Sequence, residues 1–424
     1  MATVIRSLEV RLHDVRVGYL THYPDERTLF VVDNAYLEYG GGRPTISLSM
    51  VRPGDEPITR QLLLDERHKS SLVKAPPFFS NLLPEGGLRR RIAAELKIHE
   101  DREFDLLAAL GRDLPGAIIL MPVTLPSASD HRQDQRSIFT GVPSVPSEMK
   151  FSLGGMQLKF SMLRQGDRFT LPREAYLGDY IVKPPSNDYP GLPMIEAAAM
   201  ETARTVGIDT PEVMLVPPDH IDDLTNFSGF PPNEPFYAVR RFDRVGQGRG
   251  GRRHIEDFAQ VFNLRTSEKY GHANYEQIGR TLLQYAGGLD DLHEMMRRLV
   301  FNVLMGNGDA HVKNWSLLYA DQCFPRLSPV YDLVPTVAYT TMDQSIALNM
   351  GGIKHFPEIS LRTFDTFLQR IGILDRVRES LMETVIKTGR QILVVWEDRF
   401  IKTGVPPRLI QKIHEHQKSL RWQQ

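Results

Sequence analysis

Hydrophobic positions alternate with polar ones near the amino terminus and shift to a helical period in the second half of the chain. In Ser7-Leu-Glu-Val-Arg-Leu12, the residues Leu8, Val10 and Leu12 share one face, as in a half-buried strand. Thr28-Leu-Phe-Val-Val32 and Thr45-Ile-Ser-Leu-Ser-Met50 repeat the pattern between turns containing Gly and Pro. A small antiparallel sheet is therefore expected over residues 4–50. An amphipathic helix is predicted from about Leu88 to Leu96. Further strands are expected at Met149–Leu163 on either side of a glycine loop, and at Arg168–Leu171, Tyr180–Lys183, Pro211–Val216 and Phe236–Arg244. Glu196 opens an alanine-rich helix, Ala197 to Val206, that Gly207 stops.

From about Ile255 the runs are helical: Ile255–Asn263, Tyr275–Tyr285, Leu289–Met305, Leu361–Gln369, Asp375–Trp396 and Pro407–Arg421. Apolar, strand-like runs follow at Trp315–Tyr319 and Ser328–Val334, and no internal repeat is visible. Thr124 to Ser147 is rich in Ser, Pro, Asp and Gln, which marks a linker. The expected division is an amino-terminal subdomain of sheet plus helices (1–123), the linker or mobile loop (124–147), a strand-rich lobe (148–243) and an α-helical lobe (244–424). The fold class is α+β.

Composition narrows the function classes. The 51 basic and 52 acidic residues nearly cancel, so no global field for a polyanion is present. No apolar run is long enough to span a membrane, and no signal peptide is visible at Met1-Ala-Thr-Val-Ile-Arg6. A cytoplasmic protein without membrane contact is expected. The single cysteine, Cys323, excludes an intramolecular disulfide, and the 13 histidines lack metal-ligand spacing. Arg89-Arg90-Arg91 invites a nucleic-acid reading, but three charges on the polar side of a helix are more often a solvated face.

Chemistry concentrates where the helical run to Met305 breaks. Gly306-Asn-Gly-Asp309-Ala-His311-Val-Lys313-Asn314 places an Asp five residues before an Asn, the spacing of catalytic Asp and metal-binding Asn in protein kinases. Asp332 follows inside apolar surroundings. Phosphoryl transfer needs a carboxylate to take the acceptor hydroxyl's proton, and oxygen ligands for magnesium. Asp309, Asn314 and Asp332 supply that set. The same Gly-Asn-Gly-Asp residues also make ordinary surface turns. Upstream, Ser152-Leu153-Gly154-Gly155-Met156-Gln157-Leu-Lys159 offers backbone N–H groups and one cation to phosphates, or else a plain glycine hairpin. Lys183 ends an apolar strand like the phosphate-pairing lysine of kinases. Glu196 is either its ion-pair partner or a helix-dipole residue. Backbone groups around Arg240, Arg241 and Phe242 form an expected adenine-reading hinge.

With Phe79-Ser-Asn-Leu-Leu-Pro84, Phe104 to Asp113, Ser152 to Lys159, Ile181-Val-Lys183, Arg241-Phe-Asp-Arg244, Gly306 to Asn314 and Tyr331-Asp332, the chain resembles the HipA family of bacterial toxin kinases along most of its length. The resemblance implies a two-lobed protein-kinase-like fold with an extra amino-terminal α/β subdomain, and an ATP- and Mg2+-dependent Ser/Thr kinase. It implies Asp309 as base within a catalytic set that includes His311 and Lys313, Asn314 and Asp332 on magnesium, and Lys183 on ATP. The loop Ser152–Lys159 would lie over the phosphates, with Ser152 as an autophosphorylation site. Implied partners are a HipB-like helix-turn-helix antitoxin, operator DNA mainly through that antitoxin, and a protein substrate such as an aminoacyl-tRNA synthetase. Two other readings stay open: a kinase-shaped corepressor acting through a DNA-bound antitoxin, and a small-molecule kinase.

Overall fold

The computed structural model describes residues 6–123, 158–172, 177–222, 229–246, 251–339 and 344–422. The expected linker 124–147 and the loop residues Ser152, Leu153, Gly154, Gly155, Met156 and Gln157 lie outside them.

The amino-terminal unit is a five-stranded antiparallel sheet built from β1 (Arg6–Leu12), β2 (Val15–His22), β3 (Arg27–Val32), β4 (Ser70–Leu72) and β5 (Ile118–Val123), in the order β4-β3-β2-β1-β5. The alternation in β1 sends Leu8, Val10 and Leu12 inward, each fully buried. Helices Glu56–Leu64, Gly86–Glu95 and Glu103–Leu110 complete the unit. The expected strand Thr45–Met50 is not a strand. Its residues are buried on both sides, and its polar groups bond to other parts of the fold: Thr45 N–H to the Gln322 carbonyl, Leu48 N–H to Glu256 Oε1. The strand β2 was not foreseen. Arg89 and Arg91 of the arginine triplet are engaged by Glu103 and Glu95, as a structural face would have them.

A second five-stranded sheet follows: β6 (Phe160–Gln165), β7 (Arg168–Thr170), β8 (Tyr180–Lys183), β9 (Val213–Val216) and β10 (Phe236–Arg240), ordered β7-β6-β8-β10-β9. The helix Leu192–Thr205 joins β8 to β9 and packs on this sheet. The helix begins at Leu192, ahead of the expected start, so Glu196 sits in its second turn instead of opening it. Strand alternation sorts side chains between two cores. Tyr180, Val182, Phe236 and Ala238 join the core of the amino-terminal unit, whereas Ile181, Tyr237 and Val239 join the core of the helical lobe. The sheet is thus covered on both faces, and the amino-terminal unit is fused to it by a continuous apolar core.

The helical lobe is built on Tyr275–Tyr285, Leu289–Met305, Leu361–Arg370, Asp375–Lys402 and Pro407–Ser419. Asn274 caps the first with a reciprocal Gln277 contact, and buried Met295, Leu299 and Phe301 on the second face the core. The expected helix Ile255–Asn263 is instead strand β11 (His254–Asp257) and one helical turn, Phe258–Val261. β11 pairs with β12 (Ser316–Tyr319), which pairs with β13 (Arg326–Leu327). Ser328–Val334 forms no strand, because Asp332 takes a left-handed backbone (φ 54°) that a ladder cannot continue.

Candidate active site

Between the strand-rich sheet and the helical lobe lies a cleft of about 970 Å³, with Asn81 and Glu85 of the amino-terminal unit on one wall. The helix Leu289–Met305 delivers the segment that carries Asp309. Gly306 ends it in the left-handed conformation (φ 70°), and its carbonyl accepts from the Val337 N–H and the Thr336 hydroxyl. The Thr336 Oγ1 also accepts from the Gly308 N–H at 2.8 Å. Asn307 Oδ1 accepts from the Asp309 N–H at 3.1 Å, while its Nδ2 donates to Asn302 Oδ1 at 3.0 Å. The turn that carries Asp309 is therefore held from beneath by buried amides.

Asp309 is half exposed to the cleft, with its Oδ1 accepting from the Tyr270 hydroxyl at 2.6 Å. Burial raises its carboxyl above the ordinary range, and the Tyr270 bond pulls the other way. Asn314 Nδ2 donates to the Asp309 carbonyl at 2.7 Å, which fixes the amide and leaves its oxygen as the end available to a cation.

Asp332 lies opposite, and two ammonium groups converge on it. Lys159 Nζ is 2.8 Å from Oδ2, and Lys183 Nζ bonds to Oδ1. Lys183 also lies 2.5 Å from Glu196 Oε1, with both side chains almost wholly buried. Burial by itself would raise the Asp332 carboxyl, but Lys159 and Lys183 outweigh it and hold Asp332 well below the usual carboxylate range. Burial would likewise lower Lys183, and Asp332 and Glu196 keep it charged. Glu196 is raised by its burial, so it is the first of the two carboxylates to take a proton. The strained backbone at Asp332 aims its carboxylate at this junction.

Other expected site residues take different places. Lys313 points away from the Asp332 junction. Its buried ammonium sits 2.9 Å from Glu85 Oε1, 3.0 Å from Asn81 Oδ1 and 3.7 Å from Asp257 Oδ2. Of the two carboxylates, burial pushes Asp257 up to about 6, whereas Lys313 and Lys269 overcome burial and bring Glu85 down to about 2. Asp257 and Glu85 together keep the buried Lys313 charged. His311 is buried against the edge of Tyr270, and burial pushes it down to about 3, so it is a neutral imidazole near neutral pH. The hinge backbone borders the cleft, but the Arg240 and Arg241 N–H groups are used by the Glu212 and Asp179 carbonyls. Among the described residues the Phe242 N–H is the hinge donor without a protein acceptor. The Arg241 guanidinium is buried on Asp243 at 2.7 Å, in a cluster with Arg244 and Asp113 that fastens the amino-terminal unit to the hinge. Sequence reasoning missed Glu85, Asn81, Asp257, Lys269 and Tyr270. Glu85 directly follows Phe79–Pro84, the one sequence signal that pointed near it.

Residues 8–121 match the HipA N-terminal domain family, and residues 151–393 match the HipA-like C-terminal domain family. The chain is 39% identical over 396 residues to Y4dM of Sinorhizobium fredii, named as a candidate kinase, across 93% of this chain and 92% of that one. It is 25% identical over 363 residues to the serine/threonine-protein kinase toxin HipA of Shewanella oneidensis, covering 79% of each. Among solved structures, a Shewanella oneidensis complex of HipA, HipB and operator DNA matches with a TM-score of 0.69 at 20% identity, over 97% of this chain and 95% of that one. The two share a fold.

Proposed function

The chain belongs to the HipA family, and from that premise we propose that it is an ATP-dependent Ser/Thr protein kinase and the toxin component of a toxin–antitoxin pair. The observation that carries the reading is the meeting of Lys183, Glu196 and Asp332 opposite Asp309 and Asn314 in one cleft. An ion pair from strand to helix, a second carboxylate and a base five residues from an amide are the parts phosphoryl transfer requires.

The chain's own residues divide the work as follows. Lys183 and Lys159 present positive charge to the ATP phosphates, and Glu196 keeps Lys183 extended toward them. Asp309 orients the acceptor hydroxyl and takes its proton as the oxygen attacks the γ-phosphorus and ADP leaves. The donor set fits magnesium: Asp332 is held ionised, and the fixed Asn314 amide offers an oxygen. When bound there, the ion neutralises charge on the transferring phosphate. His311 and Lys313 support the loop from behind.

Ser152 is the proposed autophosphorylation site, on the family resemblance of its loop. If the loop lies over the phosphates as the resemblance implies, a phosphoserine there would add nearly two negative charges to a site meant for a triphosphate and silence it. A HipB-like antitoxin bound to operator DNA is the proposed partner, supported by the shared fold, and an aminoacyl-tRNA synthetase is the proposed class of target. Intact and peptide mass spectrometry before and after Mg-ATP, beside Asp309→Gln, tests the reading. One phosphate on Ser152, absent from the variant, is expected. Wild type that neither gains phosphate nor binds ATP would sink it. Repression retained by Asp309→Gln would instead assign a corepressor role.

A further inference from the structure

We propose that Tyr270 is a positioning residue for phosphate transfer, whose phenol pins one oxygen of Asp309 so that the other faces the acceptor hydroxyl. The proposal rests on the kinase reading above and adds a residue to it. The Tyr270 hydroxyl donates to Asp309 Oδ1 at 2.6 Å, and His311 Nε2 lies on the same oxygen's side at 3.8 Å. Among the described residues no donor reaches Oδ2, although the carboxylate is half exposed to the cleft. A carboxylate on a turn rotates freely about its last bond unless one oxygen is held. A base must present a lone pair within hydrogen-bond reach of the proton it takes.

Tyr270 is itself held from several sides. Its ring meets the His311 ring edge-on at 5.0 Å. The preceding Lys269 is 3.1 Å from Glu85, and Thr266 donates to Asn81 Oδ1 at 3.1 Å. Arg265 donates to Ser71 at 2.6 Å. The loop that aims the phenol is therefore fastened to the amino-terminal unit, and His311, neutral and buried, acts as its backstop. The charged groups that face Asp309 are Lys269, Asp332 and Lys159. None of these bonds to it, so Tyr270 is the contact that orients it.

The test is Tyr270→Phe in the full chain, which keeps the ring packing and removes only the hydroxyl. Single-turnover phosphate transfer from Mg-ATP is measured on the chain itself and on dephosphorylated casein. The expected result is a transfer rate lower by about tenfold, the effect of losing one hydrogen bond, with half-saturation by ATP unchanged. The acid limb of that rate should move to higher pH, because a hydrogen bond that favours the ionised base has been removed. A merely structural role would leave that limb in place. Unchanged or faster transfer with an unmoved limb overturns the proposal. Carboxyl NMR of labelled aspartates, with Asp309→Asn to assign the signal, reads the same point without activity. An Asp309 titration identical in wild type and Tyr270→Phe overturns the proposal even in a chain that transfers no phosphate, an outcome that would by itself count against the kinase reading.

Discussion

Lys313 Nζ lies 2.9 Å from Glu85 Oε1, so the amino-terminal unit supplies a countercharge for a lysine four residues after Asp309. The two side chains are 6% and 10% exposed, and Lys269 shares Glu85 at 3.1 Å. The segment that carries Asp309 is thus braced by the amino-terminal subdomain.

Glu85→Gln should therefore weaken both fold and activity. Removing one partner of a buried pair leaves an uncompensated charge, at a cost of about 3 kcal/mol. Replacing both residues, as in Glu85→Gln with Lys313→Met, should recover part of that loss. Denaturant unfolding of the two single variants and the double variant measures the coupling, and strict additivity would contradict the pair.

Asp332→Asn should lose metal-dependent stabilisation by nucleotide. In wild type, Mg-ATP should raise the melting temperature by mass action on the native state. With the asparagine in place, ATP with and without magnesium should give the same shift, and phosphate transfer should vanish. A magnesium-dependent increment that survives would remove Asp332 from the metal site.

Gly306→Ala should be among the most damaging single-atom additions in the chain. A Cβ there would stand 2.3 Å from Val337 Cγ2, at a backbone φ of 70° that L-residues resist. The segment from Gly306 to Asp309 hangs on this turn, so a stability loss of about 2 kcal/mol and a drop in kcat should occur together. A variant with wild-type stability would show that the loop tolerates the shift.

Glu256 gives a pH signature. Its buried carboxyl accepts from Ser47 at 2.6 Å and from the Leu48 N–H at 2.9 Å, and also from Tyr319, joining the amino-terminal unit to β11. Burial pushes it up to about 7 despite those donors. The folded value is raised above the unfolded one, so its contribution to stability is full below about pH 4.5 and is lost as pH rises through 7. At about 1.4 kcal/mol per pKa unit, the loss approaches about 3 kcal/mol. Melting temperature against pH should fall less steeply in Glu256→Gln than in wild type, and parallel curves would refute the assignment.

The sequence by itself determined the periodic elements and the candidate groups of the proposed reaction. The helices Tyr275–Tyr285 and Leu289–Met305 have the predicted bounds, and β8 ends on Lys183 as its apolar run implied. Asp309, Asn314, Lys183, Glu196 and Asp332 stood out as candidates because motif spacing and apolar runs are local properties of the chain. Tertiary structure alone decided which of them meet. Lys183 and Asp332 are 149 residues apart, and nothing in either neighbourhood encodes their contact. The failures have the same cause. Thr45–Met50 alternates like a strand, but it finds side-chain and loop partners where a strand needs a ladder. Lys313 and Arg241 sit in motif positions, yet their charges are taken up by Glu85 and Asp243 instead of meeting at Asp332. A buried charge goes where its counter-ion lies, and that is settled by how distant segments pack rather than by the residues beside it.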